Sequence, residues 1–309
     1  MAEPNAVPVP FDGDSPKGFA FALTAYLLWG FLPFFMKALS HMSAGEVIAH
    51  RILWSVPVAG IILVALGRTA DVKAALRSPR ILVMAAVTAT IITVNWGIYV
   101  WAITHDRAVE TALGYYINPL FSIFLGAVLL KEKLSRTQKA AIGLAVVAVA
   151  VLAYDAGGLP WISVSLAFTW GIYAYMRKTL PVGPNQGFFL EVLILGLPAL
   201  CYIVYLQATG QGHFGTTGTL DVVMLASCGL VTAIPLMIYA NGAKLLRLST
   251  IGIMQYIAPT MIFLIALFAF HEPFGPAKMV AFLFIWAALA IYTWGMVSAS
   301  RARRRLADA

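Results

Sequence analysis

Long apolar stretches separated by short polar connections make up most of this chain. A helix needs about 20 apolar residues to cross the hydrocarbon core of a bilayer. Ten stretches meet that length, near residues 18–37, 47–67, 81–103, 108–130, 137–154, 160–177, 188–206, 220–240, 248–270 and 277–299. No small-residue cleavage site follows the first stretch, which indicates a span and not a removable signal peptide. The pattern predicts an all-α polytopic membrane protein with ten transmembrane helices.

The composition agrees with this class. Of the 309 residues, 61% are hydrophobic and 11% are charged, and the mean hydropathy is +0.85, whereas soluble domains carry roughly 25% charged residues. Both cysteines, Cys201 and Cys228, lie inside apolar stretches. Cysteine in that setting is typical of a small buried hydrophobe, so we predict no disulfide framework, no metal site and no cofactor.

Lysine and arginine are distributed unevenly between the two ends of the predicted spans. If the N-terminus is inside the cell, 17 of the 21 basic residues fall on the cytoplasmic side, which is the side that these residues favour. Both termini are therefore predicted to be cytoplasmic. The net charge of +8 is spread along one membrane face. It therefore indicates contact with the lipid bilayer and no nucleic-acid partner.

The second half of the chain repeats the first at an offset of 140 or 141 positions. The coinciding pairs are Tyr99 with Tyr239, Arg107 with Arg247, Tyr116 with Tyr256, Pro119 with Pro259, Glu132 with Glu272, Trp29 with Trp170, Gly30 with Gly171, Lys37 with Lys178, and Pro57 with Pro198. Because five spans per repeat is an odd number, the second copy enters the membrane from the opposite side. We predict a cytoplasmic tail over 1–17, five-helix repeats over 18–155 and 156–299, and a basic cytoplasmic tail over 300–309. Inverted repeats are typical of alternating-access transporters, although shared ancestry without motion gives the same pattern.

Four segments carry a more specific pattern. They are Ala25–Gly30, Glu46–Ser55, Asn95–Leu120 and Leu246–Thr260. These segments resemble the RarD type of EamA transporters in the drug/metabolite transporter superfamily. The resemblance implies a carrier in the bacterial inner membrane, with two inverted five-helix halves and a central cavity lined mainly by helices other than the fifth and tenth. It also implies export of small metabolites, which include aromatic amino acids in the YddG-like branch.

Two prolines lie near the centres of the fourth and ninth predicted spans. Pro119 and Pro259 each remove a helical hydrogen bond, which frees the carbonyl groups of Tyr115 and Gln255. Carbonyl groups freed in this way can accept hydrogen bonds from a substrate ammonium group. The same pattern is compatible with a simple kink whose carbonyl groups are satisfied within the protein. The two prolines are predicted as helix breaks.

Aromatic and amide side chains recur in the spans expected to face the cavity. Aromatic rings can pack against an aromatic solute, at about 0.5–1.5 kcal/mol per pair, and can attract an ammonium group. For any single ring, helix packing or a position at the lipid headgroups is the alternative. The predicted substrate-binding residues are Trp29, Asn95, Trp96, Tyr99, Tyr115, Tyr116, Asn118, Trp170, Tyr173, Tyr239, Gln255 and Tyr256.

Few charged residues fall within the predicted spans. Glu46, His50 and Arg51 share the start of the second span, where Glu46 and His50 are one turn apart and can pair. Glu191 lies near the cytoplasmic end of the seventh span. These four residues are predicted to serve a gate or coupling, with helix packing near the interface as the alternative. A proton-coupled antiporter usually keeps an ionisable group near the midplane. Since the sequence places none there, it favours facilitated export.

The sequence contains no motif of an established enzyme class. It lacks a His-Glu-x-x-His zinc site, a Gly-x-Ser-x-Gly elbow, a phosphate-binding loop and a Cys-x-x-Cys pair. We therefore predict a transporter and not an enzyme. Its expected substrates are small amphipathic metabolites, with aromatic and other neutral amino acids first. A multidrug or nucleoside exporter is the alternative within transport, and a membrane sensor or an intramembrane enzyme is the alternative outside it.

Overall fold

The computed structural model describes residues 15–129, 131, 133–243, 245–246 and 248–307. Within these residues the chain forms twelve helices and no strand. The helices are α1 (Pro16–Ala38), α2 (Ala44–Ala65), α3 (Thr69–Leu76), α4 (Pro79–Thr104), α5 (Ala108–Leu129), α6 (Arg136–Asp155), α7 (Trp161–Thr179), α8 (Pro184–Ala208), α9 (Thr219–Ala243), α10 (Leu248–Met254), α11 (Ile257–Phe268) and α12 (Pro276–Ala307). The prediction of an all-α membrane protein is confirmed.

Nine helical stretches in the described part of the chain are long and apolar enough to cross a membrane. They are α1, α2, α4, α5, α6, α8, α9, α12 and the stretch Thr250–Phe268, which includes most of α10 and all of α11. Each coincides with a predicted span. The sixth predicted span corresponds to α7, a helix of 19 residues that is less apolar, and its role as a tenth span stays a prediction. The short helix α3, which follows α2, was not predicted.

The ninth predicted span is divided into two helices. α10 ends at Met254 and α11 begins at Ile257, so the helix is interrupted at Gln255 and Tyr256. Pro259 lies in the first turn of α11, where a missing N–H group is tolerated because no helical partner precedes it. The predicted break at Pro119 is not seen, since α5 continues through this residue as one helix.

The helices pack in pairs that are distant in the sequence. α2 packs along α8, and α6 packs along α12. α1 lies against α9 and α11, while α7 lies against α4 and α5. α5 also contacts α11. Most of the extensive packing therefore joins helices of the first half to helices of the second half.

Two glycines allow close approach between neighbouring helices. A Cβ atom at Gly229 of α9 would meet the backbone of Trp54 in α2, and one at Gly114 of α5 would meet Ser163 in α7. A side chain at either position would overlap the backbone of the neighbouring helix, so only glycine fits there. These contacts hold α2 against α9 and α5 against α7.

The outside of the bundle carries large apolar side chains. Ile61 and Leu197 are each 69% exposed, and Phe268 is 72% exposed. A surface of this kind is suited to lipid chains and not to water. By contrast, the charged side chains of Glu46, Arg51 and Glu191 are buried. Charged residues inside a membrane protein usually have a functional role.

Candidate functional site

A buried guanidinium group lies on α2. Arg51 is 3% exposed. Its Nε donates a hydrogen bond to Thr232 Oγ1 at 3.0 Å, and its Cζ lies 4.8 Å from the centre of the Trp96 ring. Its Nη1 has no hydrogen-bond partner among the described residues, and no carboxylate of that part of the chain forms an ion pair with it. Arg51 is thus a buried cation that is only partly satisfied.

A row of five aromatic side chains begins at this arginine. It consists of Trp96 and Tyr99 on α4, Tyr115 on α5, and Trp170 and Tyr173 on α7. The ring centres are 6.0 Å apart for Tyr99 and Tyr115, 6.5 Å for Tyr115 and Trp170, and 5.9 Å for Trp170 and Tyr173. The hydroxyl groups of Tyr99 and Tyr115 both lie within electrostatic range of Arg51. We call these five residues the aromatic row.

A buried carboxylate lies at the far end of the aromatic row. Glu191 on α8 is 2% exposed and accepts a hydrogen bond from the Tyr173 hydroxyl at 3.1 Å. Its Oε1 lies 3.5 Å from Arg177 Nε. The aromatic row therefore connects a cation without a carboxylate partner to a carboxylate that has both an arginine and a tyrosine partner.

Both charged groups lie deeper than the sequence analysis placed them. α2 and α8 begin three or four residues earlier than their predicted spans, at Ala44 and Pro184. Arg51 and Glu191 are each the eighth residue of their helix, which places them about 10 Å from its first residue. α2 and α8 run antiparallel, since Gly45 approaches Tyr202 and Gly60 approaches Phe189, so the two groups enter the bundle from opposite ends.

An amide group borders the aromatic row. Asn95 is fully buried, and its Nδ2 donates to the Leu166 carbonyl at 3.1 Å and to Thr169 Oγ1 at 2.8 Å. These two bonds use both amide hydrogens and assign the orientation of the group. Asn95 Oδ1 has no partner among the described residues. It is a buried acceptor one helical turn from Tyr99.

Trp29 lies in a separate aromatic group. Its ring centre is 5.7 Å from that of Tyr26 and 5.4 Å from that of Tyr239. This group packs with Leu246 and Met254. The structure therefore does not join Trp29 and Tyr239 to Trp170, although the repeat makes the two tryptophans equivalent.

Tyr116 and Tyr256 form a third group between α5 and the interrupted ninth span. The Tyr116 and Tyr256 rings are 6.4 Å apart, and the Tyr116 hydroxyl is 2.6 Å from Thr260 Oγ1. Tyr116, Tyr256 and Thr260 line an open groove of about 610 Å³ beside α12. Of the other predicted residues, Asn118 and Pro119 follow Tyr116 on α5, Gln255 lies at the interruption, and Pro259 lies in the first turn of α11. Gln255 donates to the carbonyl of Gly252 at 3.0 Å.

The predicted pairing of Glu46 with His50 was wrong. The Glu46 carboxylate instead accepts the backbone N–H of His213 at 2.7 Å and contacts His213 Nδ1 at 2.7 Å. His50 Nδ1 accepts a hydrogen bond from the Trp54 indole at 3.1 Å. Glu46 thus joins α2 to the connection between α8 and α9, where the backbone N–H and the ring of His213 both face its carboxylate.

Polar contacts at this end of the bundle were missed by the sequence analysis. His41, in the connection after α1, lies 3.1 Å from Asp221 at the start of α9. Together with Glu46 and His213, these side chains form a cluster that we call the histidine latch. No local pattern marks it, because its members come from positions far apart in the sequence. Within the described residues, no group of His, Cys, Asp or Glu has the arrangement of a metal site.

A second missed residue is Glu272, between α11 and α12. Its carboxylate accepts the backbone N–H groups of Ala108 and Val109 at 2.6 and 2.9 Å, which caps the start of α5. Burial raises the pKa of the Glu272 carboxyl, and the two backbone bonds oppose that rise. The repeat pairs Glu272 with Glu132, which lies outside the described residues, as does Arg247.

Comparisons with known proteins agree with this architecture. The EamA-like transporter family matches residues 16–154. The protein RarD of Streptomyces exfoliatus is 42% identical over 296 residues, which cover 96% of this chain and 94% of that protein. The uncharacterized transporter YojE of Bacillus subtilis strain 168 is 36% identical over 294 residues, covering 94% and 98% of the two chains. One crystal structure, 20% identical, covers 89% of this chain and 96% of its own with a TM-score of 0.58, and it shares the fold.

Proposed function

The chain belongs to the RarD type of the EamA-like transporter family, and we propose that it exports small amphipathic metabolites, with aromatic and other neutral amino acids as its main substrates. It is a multi-pass transporter of the inner membrane in the drug/metabolite transporter superfamily.

The aromatic row carries the proposal for the site. Arg51 Nη1, Asn95 Oδ1 and the Tyr99 hydroxyl are buried polar atoms without partners among the described residues. Leaving such a group unsatisfied costs about 1–3 kcal/mol, so a solute that supplies partners is favoured. The neighbouring rings of Tyr115 and Trp170 offer apolar and aromatic surface. A solute with a polar head and an aromatic body suits both features.

The helix contacts support two inverted halves, 18–155 and 156–299. If α7 is the first span of the second half, the most extensive contacts between the halves have equivalents: α1 with α9 corresponds to α7 with α4, and α1 with α11 corresponds to α7 with α5. The pairs α2 with α8, α6 with α12, and α5 with α11 each join equivalent helices. Such symmetry allows each half to adopt the shape of the other, which is the basis of alternating access.

We further propose that export needs no coupling ion and that both termini are cytoplasmic. Glu191 is the carboxylate in contact with the aromatic row, and Arg177 and Tyr173 hold it. A neighbouring arginine favours the charged form of a carboxylate, so we propose Glu191 as the ion-pair partner of Arg177 and not as a proton carrier. The uneven distribution of basic residues supports the orientation.

A flux assay on the purified protein in liposomes tests this function. Labelled phenylalanine, tryptophan, uridine and chloramphenicol would be offered singly, first without an ion gradient and then with a proton gradient. The proposal predicts saturable flux of the two amino acids without a gradient. Flux of uridine or chloramphenicol alone would identify a nucleoside or multidrug exporter instead. Flux of amino acids only under a proton gradient would overturn the uncoupled mechanism.

A further inference from the structure

We propose that Arg51 binds the carboxylate of the transported solute, so that a free carboxylate and not an ammonium group is what the site requires. This inference rests on the proposed transport function and makes its substrate class specific. The class is small carboxylates with an apolar or aromatic body, and neutral amino acids are members of it.

Arg51 has no anionic partner among the described residues. A buried charge without a partner is costly in the interior of a membrane protein, and such residues usually mark a substrate pathway. The acidic residues of the helices that pack around it are engaged elsewhere: Glu46 by His213, Asp221 by His41 and Thr217, Glu110 by Arg107, and Glu191 by Arg177 and Tyr173. No carboxylate of the described residues remains to neutralise the guanidinium.

The guanidinium group of Arg51 is held in place and keeps N–H donors that have no acceptor among the described residues. Thr232 accepts from Nε, and the Trp96 face lies under the group at 4.8 Å. Cation–π contact compensates part of the charge and fixes the position of the group. Nη1 keeps hydrogen atoms without acceptors. A carboxylate is the acceptor that a guanidinium fork matches best, because two parallel hydrogen bonds can form.

The surroundings indicate how the rest of the solute is arranged. With its carboxylate at Arg51, the solute has Tyr99 and Tyr115 beside it and can extend along the aromatic row towards Trp170. Asn95 Oδ1 can accept from an ammonium or hydroxyl group. The ammonium of an amino acid therefore adds to binding without being essential.

Competition among three analogues separates the two charges. Full-length protein in liposomes loaded with unlabelled phenylalanine would be given labelled phenylalanine, and exchange would be measured with competing 3-phenylpropionate, which lacks the ammonium, or phenylalaninamide, which lacks the carboxylate. We expect 3-phenylpropionate to inhibit, and phenylalaninamide to be at least about tenfold weaker. Equal inhibition by the amide would overturn the role of the carboxylate while leaving transport itself in place.

Variants of the arginine assign the effect to this residue. Arg51→Gln is expected to lower exchange at least about tenfold, and Arg51→Lys to retain part of it, since lysine keeps the charge but loses the fork. Arg80→Gln, at an exposed arginine, is the matched control and should exchange normally. Exchange by Arg51→Gln at the normal rate would contradict the proposal.

A binding assay on the wild-type protein tests whether the site binds a carboxylate, even if no transport is seen or a variant folds poorly. The melting temperature of the wild-type protein in detergent would be measured with 3-phenylpropionate, with phenylalaninamide and with sodium chloride. A rise with the carboxylate alone supports the inference even if no flux occurs, in which case only the proposed function fails. A rise with chloride equal to that with the carboxylate would identify an inorganic anion site and overturn the inference.

Discussion

Removing the charge of Glu46 should loosen one end of the bundle. Glu46 is 1% exposed and holds the backbone N–H and the ring of His213, both at 2.7 Å. This contact joins α2 in the first half to the connection between α8 and α9 in the second half. If the halves rock against each other, the contact must break whenever this end opens.

The geometry sets the size of the effect. The single side-chain oxygen in Glu46→Gln can face either the His213 N–H or the His213 ring, and the NH₂ group then faces the other position. A hydrogen bond to a charged group contributes about 1.5–3 kcal/mol, so the variant is expected to lose about that amount. Since about 1.4 kcal/mol corresponds to a factor of ten, the open population should rise by about ten- to a hundredfold.

A buried thiol offers the assay. Cys228 is fully buried and interacts electrostatically with Arg51, whereas Cys201 is exposed. With Cys201 replaced by alanine, the rate at which N-ethylmaleimide labels Cys228 reports opening of the site. We expect Glu46→Gln to raise this rate by the factor above, and phenylalanine to slow the labelling.

Asp106→Asn is the matched control. It removes the contact with Lys37, which lies within the first half and is largely exposed, and such surface pairs contribute about 0–1 kcal/mol. Labelling should therefore change little in this variant. If Glu46→Gln labels at the wild-type rate, or if Asp106→Asn raises the rate as much, the histidine latch does not hold the two halves together.

Two further predictions concern stability. Arg177→Gln leaves Glu191 buried without its cation, which should destabilise the fold by about 3 kcal/mol, the lower end of the range for breaking a buried pair. The expected result is a lower melting temperature in detergent that is partly restored by adding Glu191→Gln. An unchanged melting temperature would contradict the prediction. The second prediction concerns Glu272, whose pKa in the folded protein is raised by burial. The contribution of this group to the free energy of unfolding is fully present below its pKa in the unfolded chain, about 4.3, and is lost as the pH rises through its pKa in the folded protein. The melting temperature of the wild type should therefore fall relative to that of Glu272→Gln as the pH rises through this window, and parallel curves would refute the assignment.

Length and apolarity alone located nearly every span, because the bilayer imposes the same length on each helix. They did not locate the start of each helix. The helix signals Ser43, which caps α2 through its hydroxyl, and Pro184, at the first position of α8, lie before the apolar stretch begins. Extending the helices to these signals would have placed Arg51 and Glu191 deeper from the outset.

The partners of the polar residues were not accessible to sequence reasoning. Glu46 pairs with His213, 167 positions away, and no local spacing rule links such residues. The repeat made Trp29 and Trp170 equivalent, yet only Trp170 joins the aromatic row. Equivalent positions lie on corresponding helices of the two halves, but the residues that surround them depend on the conformation of each half.

The most direct test of the account is phenylalanine exchange by Trp170→Ala, compared with Trp161→Ala on the same helix. Trp170 contacts Tyr115 and Tyr173 in the aromatic row, whereas Trp161 is 42% exposed and contacts Trp101. The account predicts that Trp170→Ala loses the ring contact with the solute, about 0.5–1.5 kcal/mol, so that exchange falls about two- to tenfold, while Trp161→Ala exchanges normally. Normal exchange by a well-folded Trp170→Ala protein would contradict the claim that the aromatic row is the transport site.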